Sequence, residues 1–300
     1  MVILLLSQSA FQDEGFAFSV PQIIKAIDSS YEGKKEKEAI EKARDSTRYG
    51  RVAYVGEARG YFEGPHADEL KRMSPEELEK VLEEEAKQRF RIWKKEGLPY
   101  VEKIILACEE YAGYFLFWEA YCNSYTDVKR ARNLIEETAK RYPDATAGKI
   151  AKSIVDKAKN EQELISLIRE AFGKLQNPVE SYKPEKGEPS NSIMNNLKSA
   201  IASSSGYKRW KKDSSSFFSG KEVPASAYEF ADFIIKTLDE KIAVYYFRVG
   251  NEFVFNGDGK EKEEGLAYLN ILATRYPHTG NGSLAKKYIE QIKQRVKKGR

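Results

Sequence analysis

Residues 273–286 read ATRYPHTGNGSLAK, and residues 139–152 read AKRYPDATAGKIAK. Without a gap the two windows agree at seven of fourteen positions: Ala139/Ala273, Arg141/Arg275, Tyr142/Tyr276, Pro143/Pro277, Gly148/Gly282, Ala151/Ala285 and Lys152/Lys286. Their surroundings agree as well. Each window follows an aromatic stretch with small residues, AGYFLFWEAYC (112–122) or IAVYYFRVGNEFVF (242–255). A short polar turn comes next, then a helical pattern in which Ala131 or Gly265 precedes aliphatics. Proline cannot continue a helix interior and biases the residue before it away from helical backbone. Each Tyr-Pro therefore closes a helix and lets the tyrosine ring seal the end of a helix pair. A new helix opens around Gly148 or Gly282, with Ala151 or Ala285 where two helices approach closely.

Most of the remaining chain has helical periodicity, so the expected fold is all-α and built of helix hairpins. The clearest helix is 73–97. Ser74 is its N-cap, Pro75 suits the first helical position and Glu77 completes a capping box. Leu78, Val81, Leu82, Ala86, Phe90 and Trp93 form one apolar stripe. Residues 48–69 carry Gly50, Gly56, Gly60 and Gly64 and read as a loop or small hairpin. Residues 226–255 read as one long helix or two. The stretch 177–192 holds three prolines and no periodicity, which marks a linker between two lobes. The expected organisation is an apolar start (1–15) that is either a signal remnant or a buried segment, a helical segment (16–98), a lobe with the first echo (99–176), the linker, and a lobe with the second echo (193–300).

A helix–turn–helix unit with alanine at its close contacts and a proline turn after it resembles the tetratricopeptide repeat. The RYP…A form is similar to the repeats of bacterial envelope proteins of the outer-membrane assembly lipoprotein and Tol–Pal coordinator type. The resemblance covers roughly 100–160 and 240–295, and the two units are not tandem. It implies a curved helical surface that holds a peptide or partner protein, with no chemistry of its own.

Charged residues make up 32% of the 300, yet 50 cations against 46 anions leave a net charge of only +4. Any anion binding must therefore be local. Val2–Leu6 followed by Ser-Gln-Ser-Ala looks like the end of a secretory signal, although no Lys or Arg precedes it. The cell envelope or periplasm is the expected location, with the cytoplasm as the alternative. Cys108 and Cys122 lie on one helical run, about 21 Å apart at about 1.5 Å per residue, too far to bridge.

One local patch stands out. Tyr207, Lys208, Arg209, Trp210, Lys211 and Lys212 place four cations around two aromatics within a serine-rich loop, 203–220. Such a patch suits single-stranded nucleic acid, glycan or an acidic partner by charge and stacking. His66 reads as a polar loop residue and His278 as a turn position. Glu109, Glu110 and Glu119 read as surface or helix-end charges, since adjacent helical residues point apart. Residues 256–264 (NGDGKEKEE) fail as a calcium loop because Lys260 stands where an oxygen ligand belongs. No metal-ligand spacing, phosphate loop, nucleophile elbow or dinucleotide motif is present, so no catalytic residue, cofactor or metal is expected. The expected function is a non-enzymatic protein-binding scaffold. The alternatives are an enzyme acting on an anionic polymer or glycan, and a nucleic-acid-associated module using 207–212.

Overall fold

The computed structural model describes residues 20–54, 62–217 and 222–298. Those residues are all-α apart from one small hairpin. In order they form α1 (Val20–Ser29), α2 (Tyr31–Asp45), β1 (Ala53–Tyr54), β2 (Phe62–Glu63), α3 (Ala67–Arg72), α4 (Pro75–Glu96), α5 (Leu98–Asn123), α6 (Val128–Arg141) and α7 (Thr146–Lys157). Then come α8 (Glu161–Lys174), α9 (Pro178–Ser181), α10 (Ile193–Ser203), α11 (Ser205–Phe217), α12 (Ala225–Asn256), α13 (Gly259–Arg275) and α14 (Gly280–Lys298). The hairpin pairs Ala53 with Glu63 and Tyr54 with Phe62, antiparallel. Gly56 and Gly60 lie outside the described residues, as does the apolar start with Val2–Leu6.

Local chemistry accounts for the helix ends. Ser74 Oγ accepts from the Glu77 amide, and Glu77 Oε2 accepts from the Ser74 amide at 2.9 Å. Asp258 and Glu261 repeat that reciprocal box at the start of α13, so the NGDG stretch is a helix cap. α12 is a single 32-residue helix, not two. The serine-rich stretch after 203 is largely the helix α11 rather than a loop.

The long helices α5 and α12 form the centre. α5 is apolar on nearly all sides of its last two turns and is buried there, as such a helix must be. The two run antiparallel. Trp118 meets Tyr228 and Phe115 meets Phe230 near one end, while Glu109 meets Tyr246 further along.

The two echoes are also alike in backbone. Tyr142 has φ −123° and ψ 51°, and Tyr276 has φ −125° and ψ 43°. The Tyr142 carbonyl accepts from the Ala145 amide and the Tyr276 carbonyl from the Thr279 amide, both at 3.1 Å. A Cβ on Gly148 would strike the Tyr142 carbonyl oxygen, and one on Gly282 would strike that of Tyr276. The shared glycine thus lets the first turn of the incoming helix sit against the closing tyrosine. Both tyrosines, Ala151 and Ala285 are fully buried, whereas Ala139 and Ala273 pack on the core from its edge.

Residues 177–192 are held against the helices. Val179 and Ser192 are buried. The Tyr31 amide donates to the Asn191 carbonyl at 2.8 Å, and the Ile193 amide donates to Glu32 Oε2 at 2.8 Å. One buried apolar cluster runs from Ile23 to Ile289 and takes in residues on both sides of this segment.

Candidate functional site

Two features could carry function: a buried polar centre and an open groove. The polar centre is where the two echoes meet. Tyr142, closing α6, donates its hydroxyl to Asp239 Oδ1 on α12 at 2.8 Å. Tyr276, closing α13, lies 2.8 Å from Glu109 Oε1 on α5 and 3.1 Å from the Arg141 carbonyl. Each tyrosine therefore bonds a carboxylate on the long helix that precedes the other echo. Asp239 is fully buried. Its Oδ2 also pairs with the Arg141 guanidinium and lies 2.9 Å from His278 Nε2. Arg141 reaches Glu137 as well, at 2.6 Å. A buried charge is tolerated only when paired and hydrogen-bonded, and Asp239 has three partners.

Glu109 is treated differently. Among the described residues it forms no ion pair; its hydroxyl partners are Tyr276 and, at 3.5 Å, Tyr246, and the Arg275 charge acts on it without a direct contact. Burial raises its carboxyl to about 7, with the Tyr276 hydroxyl opposing the shift. When protonated it can donate to the Tyr276 oxygen and free that hydroxyl for the Arg141 carbonyl. Glu119, further along α5, is pushed up to about 8 by burial and then by Asp232, and its Oε1 has no hydrogen-bond partner among the described residues. Burial, then the Arg141 charge, lowers the pKa of the His278 imidazole.

These positions correct the sequence reading of Glu109, Glu119 and His278. Glu109 and Glu119 are core residues, not surface charges. Glu110 caps another helix, with Oε1 accepting from the Thr146 amide and hydroxyl at 3.0 and 3.1 Å. His278 is part of the Asp239 cluster, not simply a turn position. His66 does lie at the surface, with Nδ1 3.0 Å from Glu69 Oε1.

The basic patch is also rearranged. On α11, Tyr207 and Trp210 are buried, while Lys208, Arg209, Lys211 and Lys212 face outward. Trp210 lies 5.2 Å, ring to ring, from Phe115 and from Trp118. Asn177 Nδ2 donates to the Tyr207 hydroxyl, and Lys211 pairs with Glu180 at 2.7 Å. The rings needed to stack on a base or sugar belong to the core, and only a cationic helix face remains outside.

The groove lies between α5, α7 and the segment after α8. It encloses about 1190 Å³. Leu106, Tyr114, Ala147, Ile150, Pro178 and Met194 line it with apolar surface, and Lys103, Lys174, Lys183 and Lys186 stand on it. Leu106 is 42% exposed, unusual for a leucine on a central helix. A second hollow of about 230 Å³ lies between α7 and α8, lined by Leu167 and Lys157, and has Ile150 and Lys174 in common with it. Sequence reading missed this groove. Leu106 belongs to the apolar run of α5, so nothing in the sequence marked it as exposed, and the far wall falls in the stretch read as a linker.

The polar atoms of Glu109, Asp239, Tyr142, Tyr276 and His278 are spent largely on one another, and none of these residues lines the groove. Among the described residues, no three His, Cys, Asp or Glu side chains are placed to hold a metal ion. No helix among them is long and apolar enough to cross a membrane. Comparison with known protein families, curated proteins and solved structures finds no match to this chain.

Proposed function

We propose that this chain is a non-enzymatic binding protein that holds a segment of another protein in the groove between α5, α7 and residues 174–194. In this reading the two echoes are tetratricopeptide-like hairpins, locked together as a rigid frame. The groove carries the reading: an open channel in which Leu106, Ile150, Pro178 and Met194 stand among lysine and glutamate side chains, beside a buried polar centre whose groups are occupied with one another. Exposed apolar side chains set within a polar, charged rim are the usual make-up of a protein-binding surface.

Leu106 offers a clean test. Cys108 and Cys122 are buried, and burial pushes the Cys108 thiol up to about 12, so Leu106→Cys would add one reactive surface thiol. A displayed library of random twelve-residue peptides is panned on this variant, free and carrying a bulky maleimide adduct. Peptides enriched on the free form and lost on the adduct are expected. Enrichment indifferent to the adduct, or none at all, overturns the groove as the binding site.

The bacterial cell envelope is part of the same proposal, resting on the apolar start and the repeat resemblance. Fractionation of the native protein tests it. A chain that keeps Met1–Ala10 and stays with the cytosol refutes the envelope.

A further inference from the structure

The reciprocal bonds set the two halves of the chain in register beyond the two echoes. Tyr142 matches Tyr276, and the carboxylates they reach, Asp239 and Glu109, match each other. Counting along α5 and α12 from that pair, Ile104-Ile105 fall on Ile234-Ile235, Glu110 on Glu240, Phe117 on Phe247 and Ala120 on Gly250. The α12–α13 hairpin runs about one turn longer, and α14 then opens at the residue matching the start of α7. α5–α6–α7 and α12–α13–α14 are two versions of one three-helix unit.

The first unit carries a fourth helix. α8 packs across α5 and α7. Its Phe172 ring stacks on Tyr121 at 4.2 Å, with Phe117 at 6.4 Å and Tyr114 at 6.2 Å. Its Leu167 and Ala171 stand across a narrow hollow from Ile150 and Ile154 of α7. Beneath this helix Tyr114, Phe117 and Tyr121 are no more than 7% exposed.

Among the described residues, no helix packs across α12 and α14 in this way. The matches of Tyr114, Phe117, Ile150 and Ile154 are Val244, Phe247, Leu284 and Tyr288; Tyr121 alone has a polar match, Asn251. Val244 is 36% exposed and Leu284 40%, while Phe247 and Tyr288 are half-buried. Phe255, in the extra turn of α12, is 65% exposed, and its ring lies 6.0 Å from that of Tyr288. Scattered exposed apolar residues are ordinary. Here they fall where the first unit is covered by a helix.

We infer that α12 and α14 form a second docking surface, and that its occupant is an amphipathic helix of a partner protein, seated as α8 is seated on the first unit. α8 supplies the chemistry: aliphatics on successive turns and one aromatic, as in Leu164, Leu167, Ile168 and Phe172. Such a helix lays its apolar face along Val244, Leu284 and Phe255. The surface shares no residue with the groove lining, so it stands or falls apart from the groove.

The probe is a displayed library of helical peptides of the length of α8, polar on one face, with Leu, Ile, Phe, Ala or Ser at random on the other. It is panned on Leu284→Cys, free and carrying a bulky maleimide adduct; Cys108 and Cys122 are buried. Clones rich in Leu, Ile or Phe, enriched on the free form and lost on the adduct, are expected. An adduct on Leu106→Cys should leave them enriched. One clone, labelled with fluorescein, is titrated by anisotropy, and Val244→Ser/Leu284→Ser is expected to weaken it at least about tenfold. Both side chains are exposed, so the variant folds; its urea midpoint is checked. Enrichment indifferent to the Leu284 adduct, clones no more apolar than the starting library, unchanged affinity in the double variant, or no enrichment at all overturns the docking surface. Sedimentation tests the other occupant: a dimer that Leu284→Glu dissolves makes this face an interface between copies and overturns the partner helix.

Discussion

Glu109 makes the stability of this protein depend on pH in a way that one substitution isolates. Its folded carboxyl is raised to about 7 from an ordinary 4.5. Between those values the folded protein keeps a proton that the unfolded chain releases, so stability falls as pH rises. The contribution is full below about pH 4.5, declines up to about 7 and is flat above. At about 1.36 kcal/mol per pKa unit, the loss between pH 5.5 and 8.5 is about 2 kcal/mol. Glu109→Gln removes the titration while keeping a neutral, hydrogen-bonding group beside the Tyr276 hydroxyl. Urea unfolding of both proteins at pH 5.5, 7.0 and 8.5 gives the comparison. The variant should gain about 2 kcal/mol on the wild type across that range. Glu119 also titrates late, at about 8, but it is present in both proteins and cancels. A difference that stays flat with pH would refute the buried, uncompensated carboxyl.

Tyr142→Phe should cost about 1.5–3 kcal/mol in urea unfolding, because it strips a hydrogen bond from the buried Asp239 charge. His278→Ala should cost less, since that side chain is 43% exposed and Arg141 stays on the same oxygen; equal losses would contradict the assignment. At Gly148, alanine would gain about 1 kcal/mol of helix propensity but strike the Tyr142 carbonyl, a clash of about 1–3 kcal/mol. Gly148→Ala and Gly282→Ala should therefore both lower the melting temperature. Thiol reagents should leave Cys108 and Cys122 unlabelled in the native protein and label both in denaturant, as burial raises both thiols.

The helices were legible where local chemistry decides them. Ser74 and Glu77 announce α4, and Tyr142-Pro143 and Tyr276-Pro277 announce the ends of α6 and α13. α11 was not legible, because serines favour loops and caps as well as helices; the packing of Tyr207 and Trp210 on Phe115 and Phe230 decides its state. Periodicity also could not show which polar residues were internal. Glu109 and Glu110 are neighbours in sequence, yet one enters the core and the other caps α7. That outcome depends on α13 and α7 arriving from elsewhere in the chain. The groove needed the same long-range information, since its walls come from α5, α7 and the segment that reads as a linker.

The reciprocal tyrosine bonds have a consequence for how the chain is made. Glu109 and Tyr142 emerge early in synthesis, but their partners Tyr276 and Asp239 lie in the last third of the sequence. Until α12 and α13 exist, the first hairpin holds a carboxyl and a hydroxyl that its own residues do not satisfy. Open solenoids add units one at a time onto a finished neighbour; this protein cannot finish either unit alone. Two fragments divided within 183–187 would then be poor folders apart and would reassemble on mixing, each supplying the other's missing bond.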